Sequence, residues 1–262
     1  MRRIRTIASI VLLEMLRRKD IYVLMIMLGA LLLGLVSMNI FGLGSIDGFV
    51  KDAGLLGAWL FGWVLAVTCA SRQLPQEESR GTILPLLAKP VRRGELILGK
   101  WLGVWLVVSI AITSFYLLTS LILWGYGGQF NLITLGQALI LHLVAVAVII
   151  SIAIALSVRL NADAAATITY IATSAMFILV PRIPQLMVQA QGWHKNALLL
   201  LYAILPHFEL FDMRRRAIHQ YGPMPWGWWL LVIVYGIILA LIMLSLAWIA
   251  FHNKRFSRSN QD

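Results

Sequence analysis

Three stretches of this chain hold residues whose types and spacing can do chemistry. Gly94-Glu-Leu-Ile-Leu-Gly99-Lys100 has the G-x-x-x-x-G-K spacing of a loop that cradles phosphates. A working loop of that kind follows a strand and ends in Ser or Thr to hold magnesium; here Trp101 follows Lys100 and an uncharged run begins at once. No nucleotide site is read there, and the chain carries no ATPase motif of its own. The second stretch is Leu205-Pro-His-Phe-Glu-Leu-Phe-Asp212. His207, Glu209 and Asp212 are metal-ligand types, but one imidazole and two carboxylates suit a helix-turn surface equally well, so no metal is assigned. The third is the polar interruption Arg72 to Lys100, with three acidic residues, Glu77, Glu78 and Glu95, and six basic ones. Within it Gln76, Glu77, Glu78, Arg80, Gly81 and Thr82 precede an apolar patch at Leu84, Leu86 and Leu87. Such a segment offers a water-soluble partner both charge and an apolar knob. No catalytic set is read: an intramembrane hydrolase needs Ser and His together at membrane depth, and the nearest pair is Ser45, at a span end, with His142. His142 has no intramembrane carboxylate to work with and reads as a hydrogen-bonded packing residue.

The elements that must position these residues are set by composition. Of 262 residues 60% are hydrophobic and 13% charged, with mean hydropathy +0.85. Soluble domains carry about a quarter charged residues, so this is an integral membrane protein. Its net charge of +11 would suggest nucleic acid in a soluble protein, but no soluble basic domain exists to bind it. In a membrane protein the excess collects in cytoplasmic loops facing anionic lipid. The single Cys69 excludes an internal disulfide and a multi-cysteine metal site.

Taken in order, residues 1–20 place Ile4, Ile7, Ala8, Val11 and Met15 on one side at helical spacing, between Arg2-Arg3 and Arg17-Arg18-Lys19. This predicts an amphipathic helix in the membrane interface, with Leu13 and Leu16 on its polar side. Spans are predicted over 21–46 and 53–71, with a short exposed turn at 47–52 between them. From Trp101 to Val158 there is no Asp, Glu, Lys or Arg. One helix of that length would reach about 87 Å against a bilayer core of about 30 Å, so it folds back at Trp124 to Asn131. That gives spans 101–124 and 135–158, followed by 164–181 and 226–251, the last entered through Trp226, Trp228 and Trp229. Between them 185–225 holds Ala197 to Leu205, apolar but too short to cross, a re-entrant or interfacial helix. Ser and Thr at 113, 114, 119, 120, 167, 169, 173 and 174 are expected to join helices.

The fold class is therefore an all-α membrane protein with six spans. With the N-terminus inside, sixteen Lys and Arg fall on the inner segments and six on the outer, which puts both termini in the cytoplasm.

The polar interruption resembles the cytoplasmic loop of ABC-2 type transporter permeases. There an acidic residue precedes Gly-Thr, then an apolar patch, Pro-Val, and Gly-Lys at the next span; here these are Glu78, Gly81-Thr82, Leu84 to Leu87, Pro90-Val91 and Gly99-Lys100. Arg92 departs from the Ser that commonly follows Pro-Val. The start also resembles that family, with Glu14 and the Arg17-Arg18-Lys19 end. The layout is similar to the subgroup that includes the permease of nitrous oxide reductase maturation. The resemblance implies one transmembrane domain over 1–262 in a bacterial inner membrane, moving a cargo, outward by expectation. It implies a coupling loop at 72–100 that seats on a separate cytoplasmic ABC ATPase. ATP and magnesium would be held by that subunit, with no cofactor on this chain. It further implies a second copy of the permease or a related one, surrounding lipid, and external helices around His207, Phe208, Glu209, Phe211 and Asp212 that close the exit. The competing class is an ATP-independent transporter or channel, which normally shows charged or helix-breaking positions at mid-membrane, few of which occur here.

Overall fold

The computed structural model describes residues 2–16, scattered positions between 22 and 34, and residues 46–79, 93–125, 127–189, 192–219 and 221–253. The elements are helices α1 (Arg2–Leu16), α2 (Ile46–Ser79), α3 (Arg93–Gly125), α4 (Leu132–Ser157), α5 (Ala162–Leu179), α6 (Ile183–Gln189), α7 (Trp193–Ile204), α8 (Arg214–Ile218) and α9 (Trp226–His252). Short 3₁₀ turns occupy Val180–Arg182 and Phe208–Phe211. Among the described residues, five stretches are long and apolar enough to cross a membrane: Gly48–Ser79, Arg93–Gly125, Leu132–Ser157, Ala162–Val188 and Trp226–His252. A sixth arises if Trp193–Ile204 and Phe208–Ile218, bent by 44°, make one broken span. The span expected at 21–46 lies mostly outside the described residues; those described between 22 and 34 are helical.

Local chemistry accounts for the helix starts. Asn131 Oδ1 accepts from the Ile133 and Thr134 amides and caps α4; Asn161 Oδ1 accepts from the Ala164 amide and caps α5. Gly192, at φ +63°, turns the chain into α7, a conformation that favours glycine.

Residues 47–52, expected as an exposed turn, are helical, and Lys51 is 2% exposed. Its ammonium lies over the Phe130 ring at 5.6 Å, so the charge that marked a turn is sheltered instead. Residues 72–79 likewise continue α2, and 93–100 belong to α3. Pro75 sits inside α2, where it takes one hydrogen bond from the ladder.

The central helix is α4, around which α2, α3, α5 and α9 pack. Contact is close because one side of α2 is small: Gly54, Ala58, Gly62, Ala66 and Ala70 recur every fourth residue and are all buried. A Cβ at Gly54 would lie 2.2 Å from Thr119 Cγ2, and one at Gly62 would lie 2.9 Å from Ile112 Cδ1. Indole donors hold α3 to α4, with Trp101 Nε1 donating to the Ala147 carbonyl and Trp105 Nε1 to that of Leu143. The hydroxyls of Thr113, Ser114, Thr119 and Ser120 donate to carbonyls four residues back on their own helix, so none of these bonds bridges helices, although Thr119 does join α3 to α2 by packing against Gly54. Thr173 does bridge, accepting from Trp63 Nε1 at 3.0 Å.

Helix α1 buries Ala8, Val11 and Met15 and exposes Ile10 and Leu13, the division its periodicity predicts. It docks on α3 where Gly99 and Gly103 clear a path. A Cβ at Gly99 would lie 2.8 Å from Ile7 Cβ, and one at Gly103 would lie 2.6 Å from Val11 Cβ. Gly99, one of the two glycines that mimicked a phosphate loop, therefore serves helix packing.

Candidate functional site

Two places gather the residues singled out in the sequence. At the first, the end of α2 meets the start of α3. Lys100 is 2% exposed, and its Nζ lies 2.7 Å from Glu77 Oε1 and donates to the Gln73 carbonyl at 2.8 Å. The carboxylate of Glu14 on α1 adds a second attraction to the same ammonium. Glu77 is thus joined to a neighbouring helix, whereas Gln76 is half-buried and Glu78 is exposed. Arg80, Gly81, Thr82, Leu84, Leu86, Leu87, Arg17 and Arg18 lie outside the described residues.

The same edge is tied to the end of α9. Arg93 Nη1 donates to the Phe251 carbonyl at 2.9 Å and to the His252 carbonyl at 2.6 Å, answering two of the carbonyls a helix leaves unpaired at its C-terminus. Its guanidinium lies over the Phe251 ring at 5.9 Å.

The second place is the segment between α7 and α9, which folds inward as an aromatic plug. Phe208 and Phe211 are both 0% exposed. Phe208 stacks on Phe177 of α5 at 5.3 Å. Phe211 stacks on Tyr235 of α9 at 6.1 Å and fits a notch at Gly236, where a Cβ would lie 2.9 Å from its Cε1. Tyr235 Oη accepts from the His207 amide at 3.0 Å, and the His207 ring meets Tyr202 edge-on at 4.4 Å. Asp212 receives a two-pronged bond from Arg214, Nε to Oδ1 at 2.9 Å and Nη2 to Oδ2 at 2.7 Å. Asp212 is therefore committed to an arginine. Among the described residues no three His, Cys, Asp or Glu converge as metal ligands.

The plug reaches deep. The Arg214 guanidinium lies over the Trp59 ring at 5.6 Å, and Trp59 in turn stacks on His142 at 4.2 Å, with rings 3° from parallel. His142 does pack, but among the described residues its two ring nitrogens have no hydrogen-bond partner, and the stack stands where a hydrogen bond was expected. Where the plug rejoins the bundle, Gln137 grips the backbone of Met224 by both its amide atoms, at 2.8 and 3.0 Å.

Sequence reasoning did not single out Lys100 as an ion-pair partner, nor Arg93, Trp59, Gln137, Tyr235 or Gly236. Signals existed for two of them: a lysine one step from a span start, and a lone Gln in an otherwise apolar run. The others depend on which helices meet.

No curated protein matches the chain. Residues 8–259 match a family described as ABC-2 family transporter protein.

Proposed function

The chain belongs to the ABC-2 transporter family, and from that premise we propose that it is the permease of an exporter driven by a separate cytoplasmic ATPase. Members of this family are transmembrane subunits of ABC transporters and carry no ATPase of their own. The proposal has the ATPase seat on residues 72–100, with both termini on its side of a bacterial inner membrane. Six spans from each of two copies, or from one copy and a related permease, would enclose the path. Among relatives we place the chain near the nitrous oxide reductase maturation permeases, on likeness of layout.

The observation that carries this reading is the Glu77–Lys100 clasp. Helices α2 and α3, of 34 and 33 residues, are each about 50 Å long, well beyond a bilayer core of about 30 Å. Their joined ends bracket 80–92, so a load applied there falls on both helices together. At the other end of the mechanism, the plug with Phe208, Phe211 and Asp212 is the outer gate.

Charge reversal at Glu78, exposed on the last turn of α2, tests the seat. Reversing one partner of a desolvated charge contact costs about 2–5 kcal/mol, so Glu78→Lys should weaken capture of the ABC ATPase that co-purifies with the parent chain by tenfold or more. Insertion should stay normal, because span hydrophobicity is unchanged. Full capture with full stimulated ATP hydrolysis would remove this segment from the mechanism.

A further inference from the structure

Glu209 is a charged group of the plug with no counter-charge among the described residues. It is half-buried, and its Oε2 is buried without a described hydrogen-bond partner. Arg214, the cation closest to it in sequence, is committed to Asp212. The lysines and arginines outside the described residues fall in 17–19, 80–92 and 254–258, all on segments read as inner. Glu209 also lies deep. The His207 amide, two residues before it, donates to Tyr235 Oη, and Tyr235 stands about 14 Å along α9 from its Trp226 start, at 1.5 Å per residue. A carboxylate at such depth is costly, and in membrane proteins such a group marks the path or site of a cation or solute.

Its neighbours are aromatic. The Tyr202 and His207 rings meet at 88° with centroids 4.4 Å apart, and Tyr235 stands at 65° to His207, 6.5 Å away. The Glu209 charge acts on Tyr235, as does the Tyr202 hydroxyl, so these groups share one electrostatic neighbourhood. Tyr202, His207, Glu209 and Tyr235 are all half-buried, and each keeps surface that a solute can touch. A hard metal ion would want about six oxygen ligands. Here Tyr235 Oη is already engaged by the His207 amide, and among the described residues no three metal-ligand side chains converge. A carboxylate among aromatic rings instead fits an organic cation, whose charge the carboxylate meets and whose alkyl groups the rings attract. We propose that Glu209, with the rings of Tyr202, His207 and Tyr235, binds an alkylammonium group. The inference needs only that the plug lies within the ring of spans. It does not depend on the ATPase reading, so a chain that recruits no ATPase should still bind the ammonium.

The test is equilibrium binding of radiolabelled tetramethylammonium to the purified full chain in lipid-free micelles. The parent should bind it saturably, with competition from choline and none from equal sodium. Glu209→Gln keeps the shape and should weaken binding about tenfold or more, the loss of a desolvated charge contact. Tyr202→Phe keeps a ring and should bind as the parent does, whereas Tyr202→Leu should weaken binding about threefold, the worth of one cation–ring contact. Asp163→Asn, at an exposed carboxylate on α5, should change nothing. Displacement of the probe by added phosphatidylethanolamine assigns the ammonium to a lipid headgroup, and its absence assigns it to a soluble solute; both support an ammonium site. No saturable binding by the parent, unchanged binding in Glu209→Gln, or equal competition by sodium overturns the proposal. Equal loss in Tyr202→Phe and Tyr202→Leu does so too, because the ring would then not be what the cation meets. So does a dimer that binds no probe and dissociates on Glu209→Gln, because a cation of the second copy would then be the partner.

Discussion

Breaking the Glu77–Lys100 clasp from its two sides should give unequal costs, and the inequality follows from burial. Lys100 is 2% exposed and Glu77 26%. Glu77→Gln leaves a buried ammonium with only the Gln73 carbonyl and the weaker pull of Glu14. Breaking a buried pair by removing one partner costs about 3–5 kcal/mol, and the remaining contacts place this case near 3. Lys100→Met keeps the apolar stem and leaves Glu77, whose side chain is 26% exposed although its Oε2 is buried, able to turn toward water, so its cost should be near 1 kcal/mol, the upper range of a surface pair. The double variant should recover about 2 kcal/mol of the Glu77→Gln loss, because it removes the stranded charge. Reversible unfolding in mixed micelles, followed by helicity over a denaturant series, reads all three. The difference of about 2 kcal/mol is roughly thirtyfold in the folded to unfolded ratio. Equal costs for the two single variants, or a double variant worse than Glu77→Gln, would refute the view that Lys100 is sealed and Glu77 is its counter-charge.

Gly103→Val should lift α1 off α3, because a Cβ there lies 2.6 Å from Val11 Cβ and 3.0 Å from the Ala8 carbonyl. Overpacking of this kind costs about 1–3 kcal/mol and should speed limited proteolysis within α1, while Gly136→Val, with nothing within 4 Å, leaves the rate unchanged. Phe211→Ala empties the notch at Gly236 and should cost about 3–5 kcal/mol in the same unfolding assay. Reporter tags at Asp47, Gly128 and Gln191 should report the periplasm, and tags at Ser79 and Asn260 the cytoplasm; a cytoplasmic signal at Gln191 contradicts the six-span reading.

The long helices were legible because hydropathy acts over twenty residues at a time, a scale the sequence displays directly. The expected spans 101–124 and 226–251 lie within α3 and α9, and 135–158 overruns the end of α4 by one residue. The buried side of α1 was legible for the same reason, through its period. Charge misled at Lys51, which marks a turn when read along the chain and is sheltered by Phe130 from elsewhere. Residues around Phe208 and Phe211 were expected to form a gate, yet the partners of Phe208, Phe211 and Arg214, namely Phe177, Tyr235 and Trp59, come from three different helices. No local pattern carries that. The glycines were the least legible: at Gly99 the same letter fits a phosphate loop or a docking surface, and only the neighbour Ile7 decides.

The seats on α2 are discrete. Thr119 rests at Gly54 and Ile112 at Gly62, two knobs on one helix set in two notches on the other. Slipping α2 along α3 lifts both knobs at once, and the next matching seats, Ala58 and Ala66, lie one turn away, about 5.4–6 Å. Each of those seats already holds a methyl, so it is shallower. Relative movement of these two helices is accordingly a click between stops with an uphill second position, and a push too weak to complete the turn springs back.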